Sequence, residues 1–241
     1  MTHRLNPSVT RYALWKNRRR RLTQWALAPI VILVIALGWK YPYLGYTVPV
    51  VMILGMVGGV FRGRYVCGNL CPRGGFFDRI MPLASRVQAI PVILRNRVFR
   101  WLVFAALMGV MVWRVSLDPA NPEHWGRVFW LMCVVTTLIG VVLAFFFHPR
   151  TWCTFCPIGT VQAAVGGHRG QLRLDAATCR TCHLCEKVCP MNLPIVTHRA
   201  TGVVDEPDCL RCSECVLACP ARSLTWEESR PVSADAGPKR R

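Results

Sequence analysis

Four stretches of this chain are apolar for long enough to cross a bilayer, at about 20 residues each. Thr23–Trp39 carries no charge and holds Pro29 inside it, and Tyr41–Phe61 is likewise free of charge. Phe99–Leu117 contains Arg100 and Arg114 near its ends, where long cationic side chains can snorkel to the headgroups. Val128–Phe147 is the fourth run. Buried helices of a soluble core can mimic one such run but hardly four. The first is not read as a signal peptide, because a second span follows at once and no A-x-A site intervenes. Two shorter amphipathic stretches, Phe76–Leu83 and Thr160–Val165, suit the inner membrane interface.

Charge refines this picture. The formal net charge of +18 invites a nucleic-acid reading, but its distribution excludes one. Residues 170–228 hold six basic and eight acidic residues, so that region is near neutral. The excess lies in the N-terminal arm, with seven Arg/Lys and no acid, and in 62–100, with eight Arg and only Asp78. Both flank apolar runs. By the bias of basic residues toward cytoplasmic loops, both termini face the cytoplasm, of a cell (inner) membrane crossed four times. Trp39, Tyr41, Tyr43, Trp113 and Trp125 are then expected in the outer aromatic belt, and Trp25, Tyr65, Trp101 and Trp152 in the inner one.

Downstream of the spans the pattern is set by cysteine. C-x2-C-x2-C-x3-C-P occurs at Cys179, Cys182, Cys185 and Cys189, and again at Cys209, Cys212, Cys215 and Cys219. Three closely spaced thiolates wrap one face of a cubane, and the fourth reaches across to the neighbouring cluster. One [4Fe–4S] cluster is therefore assigned Cys179, Cys182, Cys185 and Cys219, and a second Cys209, Cys212, Cys215 and Cys189. Zinc sites have no need of the third cysteine or the trailing proline, and a cytoplasmic location disfavours disulfides.

The second and fourth spans end alike. Phe61, Arg64, Cys67, Cys71, Pro72 and Gly74 align with Phe147, Arg150, Cys153, Cys156, Pro157 and Gly159, the second Cys-Pro loop being one residue shorter. The chain thus divides into a basic cytoplasmic arm (1–22), a transmembrane domain (23–166), a ferredoxin domain (170–228) and a disordered tail (229–241). The transmembrane domain is read as four helices in two repeated hairpins, with Cys-Pro loops at 67–72 and 153–157. The ferredoxin domain is α+β, of the bacterial two-cluster type. Face-to-face packing of the hairpins would gather Cys67, Cys71, Cys153 and Cys156 into an additional redox or metal site, with structural loops as the alternative.

This arrangement, over about residues 20–228, resembles the membrane-bound polyferredoxins of the NapH, NosR, MauN and CcoG type. The resemblance implies a membrane protein passing electrons between the quinol pool or cytosolic donors and an exported redox system. The flavin-bearing domain of the NosR type has no counterpart here.

Other side chains have plainer readings. Arg64 and Arg150 are read as positive-inside anchors, with His148 beside them, although all three could hold a quinone headgroup. Arg114 is expected to pair with Asp118. His124 is read as solvated, Cys133 as packing, and His183 and His198 as surface residues. No hydrolase triad, P-loop, dinucleotide-binding glycine run or haem-attachment motif is present. The expected function is electron relay between quinol and a partner oxidoreductase; the alternative is a maturation factor that reduces a metal such as copper, or a cofactor, for assembly of a respiratory enzyme. Expected partners are membrane lipid and redox proteins, with quinone as a candidate ligand and no nucleic acid.

Overall fold

The computed structural model describes residues 7–83, 85, 88, 90–168 and 170–226. The expected disordered tail, the first six residues of the arm and the last two of the ferredoxin domain lie outside them. Helix α1 (Pro7–Leu37) runs from the basic arm into the first apolar stretch without a break. Helices α2 (Thr47–Arg62), α5 (Arg97–Ser116) and α6 (Pro122–Phe146) carry the other three. Four segments, Asn17–Leu37, Pro42–Arg62, Arg97–Ser116 and Pro122–Phe146, are long and apolar enough to cross a membrane. Their outward faces are apolar, with Leu54 61% and Leu138 62% exposed, a surface that lipid would cover and water would not.

Below the spans lie two matched pairs of short helices. The first is α3 (Tyr65–Asn69) and α4 (Pro72–Arg79); the second is α7 (Thr151–Phe155) and α8 (Pro157–Gly166). Cys71 and Cys156 are the N-caps of α4 and α8 and are extended, with Pro72 and Pro157 in the first turn. Proline suits that position because its missing N–H would have had no partner there. Helix α4 packs on α1, and α8 packs on α2 and α5. Both are thus held against the spans by one face. Phe77 is fully buried, and Gln162 is 1% exposed.

The C-terminal module is a three-stranded antiparallel sheet in the order β2-β1-β3, with two one-turn helices. Strand β1 (Leu172–Leu174) sits between β2 (Val203–Val204) and β3 (Leu224–Trp226), Leu172 facing Val204 on one side and Trp226 on the other. Helices α9 (Leu184–Lys187) and α10 (Glu214–Ala218) each carry the third cysteine of a motif. Leu172, Leu193, Ile195 and Leu224 form the module's core, continuous with Phe77, Trp152 and Phe155 beneath the spans.

Candidate functional site

The two cysteine motifs fold alike. Thr181, His183 and Asn192 in the first, and Arg211, Ser213 and Arg222 in the second, all have positive φ between 50° and 68°. Left-handed backbone costs a non-glycine residue roughly 1–2 kcal/mol, and such strain collects at functional sites. Alternation of right- and left-handed residues turns successive N–H groups inward, the anion-binding concavity found at many iron–sulfur sites.

The last cysteine of the first motif lies beside the second motif. Cys189, Cys209, Cys212 and Cys215 line one small cavity with Pro190, Met191 and Trp226. Burial pushes the Cys189 thiol up to about 12, reinforced by neighbouring Cys212 and Cys209. Burial likewise raises the Cys185 thiol to about 11, with Cys219 among the groups acting on it. Cys182 is exposed and Cys179 half-buried, so the first set lies nearer the surface. Among the described residues no three of His, Cys, Asp and Glu converge closely enough for a single metal ion. Thiolates about 2.3 Å from one zinc ion would have to converge in that way, whereas a cubane holds its ligands farther apart. The donor set and the inward-turned backbone fit cubane clusters, whose chemistry when bound is one-electron transfer. His183 and His198 pair instead with Glu186 at 2.6 Å and Glu206 at 3.2 Å.

The four loop cysteines lie near enough to act on one another electrostatically. The thiol of Cys67 feels those of Cys71, Cys153 and Cys156, and burial lifts the Cys67, Cys71 and Cys153 thiols above the ordinary range. The difference in loop length is absorbed by one extra residue. The Cys71 N–H donates to Val66 O at 2.9 Å and the Cys156 N–H to Trp152 O at 3.0 Å, and each acceptor immediately precedes the first cysteine of its own pair. Leu70, the extra residue, is 47% exposed and donates to the same Val66 carbonyl.

Sequence reasoning misjudged the arginines. Arg64 and Arg150 are 1% exposed, not headgroup anchors, because each has a buried carboxylate to meet. Arg64 pairs with Asp208 at 2.7 Å, and Arg100, also buried and not snorkelling, donates twice to Asp208 at 2.9 Å. Arg150 pairs with Asp78 at 2.7 Å. Arg20 of α1 joins Asp78 and reaches Glu214 at 2.8 Å. Burial alone would raise the Asp78 carboxyl, but Arg150 and Arg20 hold it at about 2. Asp208 is likewise held low, against its burial, by Arg64 and Arg100. Asp208 and Glu214 belong to the ferredoxin module, so these pairs fasten it beneath the spans.

The same arginines bind the two loops crosswise. Arg64 donates to the Cys153 carbonyl, and Arg150 to the Cys67 carbonyl at 3.0 Å. Each guanidinium passes over a glycine of the opposite loop. A Cβ on Gly74 would stand 2.9 Å from Arg150 Nη1, and one on Gly159 2.4 Å from Arg64 Nη2. The sequence held a signal: both arginines stand three residues before a cysteine, and Asp78 is the sole acid in 62–100. Trp152, assigned from sequence to an aromatic belt, is 3% exposed. The Arg114 guanidinium lies over the Trp113 ring, and among the described residues it makes no ion pair with Asp118.

Between the spans lies a cavity walled by all four helices, with Met52, Met108, Met111 and Met132 in its lining. Its floor carries Cys67, Cys71, Cys156, Arg73, Trp152 and Gln162.

Comparison with known proteins agrees with this layout. The family model described as a 4Fe-4S binding domain matches residues 44–91 and again 125–174, and the 4Fe-4S dicluster domain matches 171–223. An uncharacterized protein of Methanocaldococcus jannaschii is 25% identical over 72% of this chain and 68% of its own length. The Escherichia coli protein YccM, whose name assigns it to electron transport, is 26% identical over 69% of this chain, which spans about half (52%) of that relative. The NAD(P)H-quinone oxidoreductase subunit I of Gloeobacter violaceus is 28% identical over 27% of this chain and 36% of its own length. No solved structure matches. The chain is thus a mostly helical protein with four candidate membrane-spanning helices and 4Fe–4S domains, and its function is iron–sulfur electron transfer.

Proposed function

We propose that this chain is a membrane-bound polyferredoxin that relays electrons between membrane quinol and a partner oxidoreductase. Cys179, Cys182, Cys185 and Cys219 hold one [4Fe–4S] cluster, and Cys189, Cys209, Cys212 and Cys215 the other. Both termini are cytoplasmic, in keeping with the basic arm and the basic 62–100 segment. The observation that carries the quinol reading is the cavity between the spans. It is apolar, as an isoprenoid-tailed ligand requires, and its floor offers the Arg73 guanidinium and Gln162. Gln162 Oε1 is buried without a hydrogen-bond partner, and a quinol hydroxyl would satisfy it. In the ferredoxin module, the exposed Cys182 is followed within six residues by Leu184 and Val188, 41% and 40% exposed. Apolar residues around a surface cluster suit transient docking of a redox protein.

Reconstitution into liposomes tests this. A quinol analogue should reduce the clusters, followed by bleaching of their visible absorption, and Met111→Trp, which fills the cavity, should slow that reduction at least about tenfold with iron content unchanged. Equal rates in the two proteins would remove quinol from the cavity. A periplasm-active reporter fused after Asn121 should be active and one fused after Gly75 silent; the reverse would invert the topology.

A further inference from the structure

The ferredoxin module is near neutral in total, but its charges are sorted. Residues 171–200, which carry the first motif, hold Arg173, Arg180, Lys187 and Arg199 against Asp175 and Glu186. Residues 201–226 hold Arg211 and Arg222 against Asp205, Glu206, Asp208 and Glu214. We propose that the basic surface of the first motif is the docking face for a small acidic redox protein, a one-electron carrier with an anionic surface around its own redox centre. The inference rests on the electron relay proposed above and adds the chemistry of the partner.

The two halves of the module face different surroundings. In the second half, Asp208 is taken by Arg64 and Arg100, and Glu214 by Arg20. These arginines belong to α1, to the start of α3 and to α5, so the acidic half is fastened to the transmembrane part. Cys212 and Cys215 are buried there. A soluble protein therefore meets the module through its first half, where Cys179 is half-buried and Cys182 exposed.

The acids of that half are answered locally. Glu186 accepts from His183 Nδ1 at 2.6 Å and from the Val196 N–H at 2.8 Å. Asp175 accepts from the Ala177 N–H and the Thr178 hydroxyl, both at 3.0 Å. Beside it, Arg199 donates to the Ala176 carbonyl at 3.0 and 3.1 Å.

Three bases of the same surface are not answered. Arg180, Lys187 and Arg222 are exposed, and none has a carboxylate partner among the described residues. Arg180 stands between Cys179 and Cys182, and Lys187 ends α9, two residues after Cys185. Arg222 is brought to them by the fold. Its N–H donates to the Cys219 carbonyl at 3.1 Å, and the next carbonyl, that of Ser223, accepts from the Asp175 N–H at 2.9 Å. The Asp175 carbonyl in turn accepts from the Cys179 N–H at 3.1 Å. Three unanswered cations thus sit on the backbone that carries Cys179, Cys182, Cys185 and Cys219, with Leu184 and Val188 as exposed apolar contacts.

That combination suits a brief encounter with an anionic protein. Transient redox complexes bury less than about 1,200 Å², so long-range charge supplies much of the steering. Anionic lipid is the other source of negative charge. Arg18, Arg19 and Arg21, exposed at the start of the first span, are placed for headgroups, whereas the module meets the spans through its other half.

Stopped-flow reduction of the full-length protein by flavodoxin hydroquinone tests the proposal. Flavodoxin is an acidic carrier, and its anionic hydroquinone gives one electron to a cluster and becomes the neutral semiquinone. The second-order rate constant should fall at least about tenfold between ~20 mM and ~500 mM salt. Arg180→Gln/Lys187→Gln/Arg222→Gln should lower it at least about fivefold at low salt and flatten its salt dependence. Iron content and bleaching by dithionite, a small reductant that needs no docking face, should match wild type. A wild-type rate independent of salt, or a triple variant as fast as wild type, would overturn the docking face. In liposomes, a rate set by phosphatidylglycerol content and unchanged by the triple substitution would give these residues to lipid headgroups and overturn it as well. A wild type that dithionite does not bleach would instead sink the electron relay on which the inference rests.

Discussion

The chain uses a cysteine-bearing repeat twice, once in the dicluster module and once beneath the spans, and locks the copies together by different means. In the module, Cys189 of the first motif sits with Cys209, Cys212 and Cys215 of the second, which in the proposed two-cluster reading is an exchange of ligands. Beneath the spans they exchange arginines, Arg64 reaching the loop of Cys153 and Arg150 the loop of Cys67. The difference follows from surroundings. The module has only two- and three-residue strands and one-turn helices, so a group it binds would become part of its fold. The loops under the spans are surrounded by protein, where buried guanidinium–carboxylate pairs can fix geometry before any cofactor arrives.

The largest effect is expected from breaking the ligand exchange. Cys189→Ser should remove the cluster held mainly by the second motif and Cys219→Ser the one held mainly by the first, each costing about half of the module's iron. Low-temperature EPR of the reduced variants distinguishes the two losses. If each substitution removed the cluster of its own motif instead, the interlock would be wrong.

Breaking the arginine exchange should act on stability more than on iron in the module. Asp78→Asn leaves Arg150 without its carboxylate, and Arg20 with Glu214 alone. Removing one partner of a buried pair costs about 3–5 kcal/mol, seen as a lowered Tm in detergent. Glu123→Gln, which breaks the exposed pair with Arg127 at 3.8 Å, should change stability by less than about 1 kcal/mol. Similar shifts in the two variants would reduce the buried network to incidental contacts. Sign follows from the shift: Asp78 falls from an ordinary 3.8 to about 2, so its contribution is complete above the ordinary value and vanishes as pH falls through about 2.

What the sequence disclosed divides along the same line. Apolar runs and cysteine spacing are local signals, so the four spans and the tandem motifs could be read directly. The bracing is non-local: Arg64 meets Asp208 and Arg150 meets Asp78, and a basic residue at a helix end looks the same whether it meets lipid or a distant carboxylate. Trp152 failed for the same reason, since amphipathic aromatics suit both a membrane interface and a core. The cavity is a property of packing among four helices, and no single segment announces it.

The smallest effect should come from making the two loops equal. Leu70 is the one residue by which the first loop exceeds the second. It is 47% exposed, and its N–H shares the Val66 carbonyl with that of Cys71. Deleting it leaves Cys71 on Val66 O as Cys156 stands on Trp152 O. The loss is one shared hydrogen bond near the surface, about 1 kcal/mol. Pro72 still opens α4 and Gly74 still lies under Arg150, so the thiols should keep their places. The deletion should accumulate normally, lower Tm slightly and hold as much iron as wild type. A fall in Tm as large as that of Asp78→Asn would show that the extra residue sets where Cys71 stands, and that the two loops are not equivalent.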